Sequence, residues 1–152
     1  MNITDRKFLD FLFRAKRGTY AAHGAESTPS RPNSHDLYYR ENDLLYIDTY
    51  LGGYDFAGQE GVWETDQPLW AMNYYGRLLV SDFPEGLPDF LKAALREISG
   101  QAPFRGPRFH QLGEYKYHCS WQGELGFFSG NETIEYQDNR VYELLFHGGR
   151  IR

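Results

Sequence analysis

The sequence predicts an α+β fold, in which a mainly antiparallel β-sheet made of two meanders carries two helices packed on one face. Three observations predict it. Two segments place apolar residues at helical spacing, one near the N-terminus and one in the middle of the chain. Each is followed by several runs rich in aromatic and β-branched residues. The turns between these runs are short, which favours antiparallel neighbours, and the length of 152 residues fits a single domain over residues 1–152.

The first helix is predicted over Asp5–Arg17, with Thr4 as its N-cap and Gly18 as its stop. Its apolar stripe consists of Phe8, Leu9, Phe11, Leu12 and Ala15. The segment from Gly18 to Asp36 is polar, lacks periodicity and contains glycine, proline and serine breakers, so it is predicted to be a long loop. A loop of this length is either functional or a passive surface connection, and the sequence leaves both open.

Four strands follow the loop in the predicted order, with the third bent at Gly58 and Gly61. They are Leu37–Arg40, Leu44–Leu51, Tyr54–Glu64 and Leu69–Tyr75. A second helix is predicted from the apolar spacing between Leu87 and Ile98. The last strands are predicted at Glu114–Trp121, Glu124–Phe128, Glu132–Tyr136 and Val141–Phe146. This order suggests two similar halves, although their literal sequence similarity is weak, and it leaves open whether the strands form one sheet or two.

Charge and composition exclude several classes of function. The net charge is -5 and the basic residues are scattered, which disfavours direct binding to nucleic acid. A single cysteine, Cys119, cannot form an internal disulfide and favours a reducing, cytoplasmic location. No apolar run is long enough to span a membrane. The spacing of the histidines does not predict a metal site, and no phosphate-binding glycine motif predicts a cofactor.

Period-2 alternation divides Leu44–Leu51 into two faces. Leu45, Ile47, Thr49 and Leu51 form the face expected to pack on the helices. The other face carries Tyr46, Asp48 and Tyr50, and a later strand places Trp70, Met72 and Tyr74 on one side. If these two sets meet, they form an aromatic wall around a carboxylate, which suits a cationic or planar ligand. Ordinary cross-strand packing, with Asp48 bonded to a tyrosine or the backbone, is the alternative.

Four further residues are candidates for ligand contact. Asn73 and Arg77 end a strand, and the guanidinium can bind a carboxylate or phosphate, or form a surface ion pair. Arg105 lies in a proline-flanked segment and, with Arg31, either clamps an anion or ties loops to the sheet. His147 stands beside two glycines at a strand end and is the first choice for a general acid or base, the alternative being a structural histidine.

Several stretches of the chain, taken together, resemble a bacterial domain family of unknown function that occurs alone and behind XRE-type helix-turn-helix domains. They are Thr19–Tyr20, Ser30–Leu37, Tyr46–Gly53, Trp70–Gly76, Pro103–Pro107 and Phe146–Gly149. The helix-turn-helix domain is not present in this chain, so the resemblance implies a stand-alone member. It implies no activity and no catalytic residues.

The leading hypothesis is therefore a non-enzymatic module that binds or senses a small molecule or peptide. The first alternative is an enzyme in which His147 and Asp48 carry out acid–base chemistry and Arg77 or Arg105 holds an anion. The second is a protein-interaction role, such as a regulator or an immunity-type partner, which an exposed aromatic patch without a deep cavity would favour. A homodimer is compatible with all three.

Overall fold

The computed structural model describes residues 1–19 and 25–152, and these contain two helices and eight strands. The helices are α1 (Arg6–Gly18) and α2 (Leu87–Arg96). The strands of the first half are β1 (His35–Glu41), β2 (Leu44–Gly52), β3 (Asp55–Glu64) and β4 (Gln67–Leu78). Those of the second half are β5 (Phe109–Leu112), β6 (Tyr115–Glu124), β7 (Phe127–Tyr136) and β8 (Asn139–Arg150).

All eight strands belong to one antiparallel sheet in the order β1-β2-β3-β4-β8-β7-β6-β5. The two meanders therefore meet at the central pair β4 and β8, and the predicted α+β class with a mainly antiparallel sheet is confirmed. Both helices lie on the same face, where Phe11 of α1 packs on Tyr39 of β1 and Phe90 of α2 stacks on Tyr115 of β6. Neither helix is long and apolar enough to cross a membrane.

The face of β2 that packs on the helices is the opposite of the one predicted. Tyr46 and Asp48 are buried beneath the helices, whereas Ile47 and Thr49 are only half-buried and Leu51 is exposed on the uncovered face. The higher hydropathy of Leu45, Ile47 and Leu51 was the reason to predict that their face packs on the helices. The tyrosines prevail because their rings fill the space under the helices while their hydroxyls find polar partners there.

Several predicted boundaries are corrected by the structure. Asp5, not Thr4, is the N-cap of α1, and it makes no side-chain capping bond. The two strands predicted around Phe128 and Glu132 are one continuous strand, β7, and the short edge strand β5 was missed. β3 continues past Gly58 without the predicted bend. The absence of a side chain at Gly58 leaves space for the ring of Tyr74, since a Cβ there would lie 2.4 Å from that ring.

The part of the predicted loop that the structure describes is organised around Asp36, and residues 20–24 lie outside the described ranges. The Asp36 carboxylate accepts hydrogen bonds from the Thr49 hydroxyl at 2.8 Å and the Ser30 backbone N–H at 3.0 Å. Burial opposes ionisation, but these bonds and one from Ser34 lower the pKa of Asp36 to about 2. Arg31 adds a bond to Thr49 at 2.7 Å, so this stretch is fastened to the uncovered face of the sheet.

The strands of the two halves repeat at a nearly fixed offset along the chain. Every residue of β3 and β4 has a counterpart 72 positions later in β7 and β8, so that Asp55 corresponds to Phe127 and Gln67 to Asn139. Both strand pairs shift register at the same point, after Val62 and after Ile134. Because β2 and β6 also pair in matching registers, with an offset of 71, an approximate twofold axis passes between β4 and β8.

Backbone detail supports the same relationship. The turn after β3 holds Thr65 and Asp66 at positive φ, and the turn after β7 holds Gln137 and Asp138 in the same way. At the ends of β2 and β6, Gly52 and Gly123 have φ of 93° and 88°. A Cβ at either glycine would lie about 2 Å from a carbonyl oxygen of the following strand. Repeated strained positions of this kind show that the suspected two halves share one local architecture.

Candidate functional site

A cavity of about 310 Å³ opens between the sheet of the first half and the start of α2. Its size falls at the lower end of the range for small-molecule sites. The walls are mostly aromatic or aliphatic side chains. Four charged or imidazole side chains also line the cavity: His35, Asp48, Lys92 and Arg105. The lining comprises His35, Asp48, Tyr50, Gly52, Gly53, Phe56, Tyr74, Phe83, Leu87, Pro88, Leu91, Lys92, Arg105 and Tyr142.

Asp48 forms the floor of this cavity and is almost completely buried. Its Oδ1 accepts a hydrogen bond of 2.7 Å from the Tyr74 hydroxyl. Tyr50, on the same face of β2, stands above it and is stacked on His35 with ring centres 4.8 Å apart. The remaining carboxylate oxygen of Asp48 accepts no hydrogen bond from the residues that the structure describes, so the cavity has one acceptor to offer.

A buried ionic network lies directly behind the floor. Arg105 binds Glu132 through two hydrogen bonds, Nη2 to Oε1 at 2.7 Å and Nε to Oε2 at 3.1 Å. Its Nη1 is 3.7 Å from Glu60, which also pairs with Lys16 at 2.6 Å. The hydroxyls of Tyr117 and Tyr142 donate to Glu132 at 2.6 and 2.7 Å. The four charged side chains of this network, Arg105, Glu132, Glu60 and Lys16, are thus held by one another.

The balance of charge in this network determines the state of Asp48. Among the residues that the structure describes, three buried carboxylates (Asp48, Glu60 and Glu132) face two buried cations (Lys16 and Arg105), so the buried groups alone carry one excess negative charge. Lys92 of α2 adds a half-buried cation in the cavity wall. Burial, with added repulsion from Glu60, raises the pKa of Asp48 to about 7 in spite of the bond from Tyr74. Burial likewise acts against the ionised form of Glu132, but Arg105 lowers the pKa of Glu132 overall. Asp48 is therefore the carboxylate that takes up a proton.

This protonation makes stability depend on pH. A carboxyl whose pKa is higher in the folded than in the unfolded chain stabilises the fold at low pH and loses that effect as pH rises through the folded pKa. We expect the wild type to lose about 3 kcal/mol relative to Asp48→Asn, which cannot ionise, between pH 4 and pH 8. Urea unfolding of both proteins across this range measures the difference.

Parallel stability curves for the two proteins would contradict a raised pKa at Asp48. The comparison isolates this side chain because the other groups that face it are unchanged in the variant. Those groups are Lys16 of α1, His35 of β1, Tyr46 and Tyr50 of β2, Glu60 of β3, Tyr74 of β4, Lys92 of α2, Tyr142 of β8 and Arg105.

The structure brings together part of the predicted aromatic wall. Asp48, Tyr50 and Tyr74 line the cavity, while Tyr46, Trp70 and Met72 share their face of the sheet but are packed in the core. Trp70 is held there by a 3.1 Å bond from its indole N–H to the Leu125 carbonyl and by an edge contact with Phe8. Asp48 bonded to a tyrosine, the alternative interpretation of this residue, is also present.

Three other candidates lie on the opposite face and do not join the cavity. Asn73 pairs in register with His147, and both alternate with the covered residues of β4 and β8. Arg77, on the same uncovered face, forms an ion pair with Glu143 at 2.6 Å. The proposed acid–base pair of His147 and Asp48 is wrong, because the sheet separates the two side chains.

Arg105 reaches the cavity but does not clamp an anion with Arg31. Arg105 binds Glu132 on the covered face, whereas Arg31 binds Thr49 on the uncovered face. Each arginine thus ties an irregular segment to the sheet, as the alternative interpretation held, and these bonds go to side chains of the sheet. No group of three metal-ligating side chains is assembled anywhere in the described ranges 1–19 and 25–152.

Sequence reasoning missed three charged members of the buried network behind Asp48: Lys16, Glu60 and Glu132. One signal could have found the two glutamates. Phe56–Glu60 reads Phe-Ala-Gly-Gln-Glu and Phe128–Glu132 reads Phe-Ser-Gly-Asn-Glu, a short repeat at the offset of 72. Its physical basis is visible, since a Cβ at Gly58 or Gly130 would lie 2.4 Å from the ring of Tyr74 or Phe146.

A family model described as a domain of unknown function, DUF5680, matches residues 48–151, which is more than half of the chain. The matched region begins at Asp48 and contains Tyr74, Arg105 and Tyr142, so it includes the floor of the cavity and the network behind it except for Lys16. Comparisons with curated proteins and with solved structures gave no significant match.

Proposed function

Because the chain belongs to the DUF5680 family, and that membership assigns no activity, we propose from the cavity that this domain is a non-enzymatic module that binds a small molecule. The observation that carries the proposal is a 310 Å³ cavity with apolar walls and a buried carboxylate at its floor. A largely apolar pocket with a few convergent polar groups is the usual form of a ligand site.

Enclosure favours a small molecule over a peptide. The cavity is bounded by the end of β2 at Gly52 on one side and by the first turns of α2, at Leu87 and Leu91, on the other. Phe83, in the connection before α2, closes part of the rim and packs edge-on against Tyr54. A peptide requires an open groove along a sheet edge or helix face, and this cavity is neither.

Binding is favoured over catalysis because the other carboxylates near Asp48 are held by the cations of the network. Glu60 and Glu132 are neutralised by Lys16 and Arg105, so neither is free to act as a base. Cys119 is buried in the second half, and burial, with the nearby charge of Glu132, raises the pKa of its thiol to about 12. A thiol in that state is not a nucleophile at neutral pH.

Sensing is the finer part of the proposal. The resembled family also occurs behind helix-turn-helix domains, an arrangement that suits a module which reports on a bound ligand. We propose that this chain, as a stand-alone bacterial member, senses its ligand in the cytoplasm.

A thermal-shift screen of metabolites, nucleotides and small cationic compounds tests the binding function, with Asp48→Asn measured alongside the wild type. We expect at least one compound to stabilise the wild type and to lose most of its effect on the variant, because the variant lacks the carboxylate at the cavity floor. Arg77→Met, altered on the opposite face, is the matched control and should respond as the wild type does.

Equal responses of the wild type and Asp48→Asn to every stabilising compound would place binding outside this cavity. Silence across the whole screen, with the protein folded, would reject the small-molecule function.

A protein-interaction role is the second candidate, and one observation favours it. On the uncovered face, Tyr75 and Leu145 are paired in register and are 50% and 66% exposed. An adjacent exposed aromatic and aliphatic pair in the middle of a sheet is a suitable contact for another protein, including a second copy of this chain.

A further inference from the structure

The strand repeat gives the cavity a structural counterpart in the second half of the chain. Tyr50, Phe56 and Tyr74, here called the first cradle, form the aromatic walls next to Asp48. Their counterparts, here called the second cradle, are Trp121, Phe128 and Phe146. The geometry matches: Phe56 and Tyr74 have ring centres 6.0 Å apart, and Phe128 and Phe146 have ring centres 6.2 Å apart.

The outer walls of the two cradles also match. Tyr142 of β8 stacks on Phe56 at 6.3 Å with an interplanar angle of 20°. Trp70 of β4, its counterpart, stacks on Phe128 at 5.8 Å and 19°. The two cradles are therefore the same aromatic enclosure built twice, once on each side of the twofold axis.

The second cradle is filled by the chain itself. The ring of Phe104 stacks on Phe128 at 4.0 Å and 25°, and contacts Trp121 edge-on at 5.8 Å and Phe146 at 6.1 Å. Phe104 is fully buried there. At the offset of 71 along the sequence, the counterpart of Phe104 is Asn33, which is exposed and carries no ring. The three side chains of the first cradle line the cavity instead. An enclosure of this shape thus accepts a flat six-membered ring.

The two cradles differ in one chemical respect. Asp48 on β2 corresponds to Cys119 on β6, because Asp48 pairs with Glu60 and Cys119 with Glu132. The second cradle offers a neutral, apolar thiol and holds a neutral ring. The first offers a carboxylate whose negative charge the buried cations Lys16 and Arg105 do not balance. A positive charge as well as a ring in the occupant would therefore complement the Asp48 carboxylate at the floor, provided that the charge lies away from Lys92 in the cavity wall.

Building on the proposed function, we infer that the cavity takes a flat aromatic ligand with a protonated nitrogen. Its ring lies against Phe56, as Phe104 lies against Phe128, and its nitrogen donates to the open oxygen of Asp48. Tyr50 and Tyr74 flank the nitrogen, so that cation–π attraction adds to the ion pair. An anion is disfavoured because the guanidinium of Arg105 is already bound by both oxygens of Glu132.

Three probes of matched shape test the charge and the ring together: phenethylamine, 2-phenylethanol and phenylacetate. They carry the same ring on a short chain that ends in a cation, a neutral hydroxyl or an anion. Calorimetric titration of the full chain at pH 8 gives each affinity. We expect phenethylamine to bind roughly tenfold to a hundredfold more tightly than 2-phenylethanol, as a charged hydrogen bond gives, and phenylacetate not to bind.

Asp48→Asn should remove this preference, so that phenethylamine binds no more tightly than 2-phenylethanol. Cyclohexylethylamine, which has the charge but not the flat ring, should bind the wild type more weakly than phenethylamine. Arg77→Met serves as the matched control and should keep the full preference of the wild type.

Acid should also weaken the binding of phenethylamine. Below the raised pKa of Asp48, about 7, the probe must displace a proton. Its affinity is expected to fall by up to about tenfold per pH unit. 2-Phenylethanol should show no such dependence.

Two results would overturn the inference. Tighter binding of 2-phenylethanol or phenylacetate, lost when Tyr50 is changed to alanine, would leave a binding cavity but refute the cationic class. Failure of phenethylamine to bind at millimolar concentration would refute the ligand class altogether, while a hit of other chemistry in the wider screen, lost in Asp48→Asn, would leave the binding function standing.

Discussion

Replacing Arg105 by methionine should lower the free energy of unfolding by about 3–5 kcal/mol, the cost of leaving a buried charge without its partner. Arg105 contacts both glutamates of the repeat, and its loss leaves the buried Glu132 carboxylate without the cation that binds it. Methionine keeps most of the length of the side chain, so the effect reports charge more than volume. Urea unfolding at pH 7 measures it.

The same substitution at Arg77 is the control. Arg77 pairs with Glu143 at a similar distance, 2.6 Å, but its side chain is about half exposed on the uncovered face. Exposed pairs contribute less than about 1 kcal/mol. Equal losses in Arg105→Met and Arg77→Met would show that the buried network does not stabilise the fold. A partial recovery of Arg105→Met at low pH, where Glu132 takes up a proton, would support the electrostatic origin of the loss.

Removing the ring of Phe104 should have an effect of similar size. Phe104→Ala is expected to cost about 3–5 kcal/mol, because it empties the second cradle between Phe128, Trp121 and Phe146. Benzene should then restore part of the loss, since a dry cavity lined by aromatic rings binds apolar molecules. Thermal unfolding with and without benzene measures both effects.

Phe83→Ala provides the comparison for Phe104→Ala. Phe83 is 43% exposed at the rim of the first cradle, so its removal should cost far less and leave no closed void. If Phe104→Ala is as stable as Phe83→Ala, or if benzene has no effect on it, the second cradle is not a packed counterpart of the first.

Local patterns of the sequence were sufficient for both helices and for most strands, but not for β5, for the continuity of β7 or for the orientation of β2. The spacing of Phe8, Phe11 and Leu12 predicted α1, and the runs around Tyr46 and Trp70 predicted strands. The choice of face failed because hydropathy ranks Leu45 and Ile47 above Tyr46 and Asp48. What places the polar set inside is a group of partners distant in sequence, which periodicity does not reveal.

The candidate site was predicted in part for the same reason. Asp48, Tyr50 and Tyr74 were predicted to meet because residues alternate along strands and neighbouring strands align. His147 was misplaced because its position on β8 relative to β2 depends on the order of strands across the twofold axis. In the observed strand order, β8 pairs with β4 and Asn73 lies opposite His147. The order of strands along the sequence does not specify that the two meanders meet at this pair.

The two outer strands of the sheet have a further consequence, for aggregation. β1 is bridged by Ser27 at Asp36, where the segment before it is bonded back onto the sheet, and β5 is only four residues long. A sheet continues to grow by adding strands only where a long row of backbone groups is left open. Both ends of this eight-stranded sheet are blunted, so self-association through edge-to-edge pairing is disfavoured, and copies of the chain that do associate are expected to meet face to face.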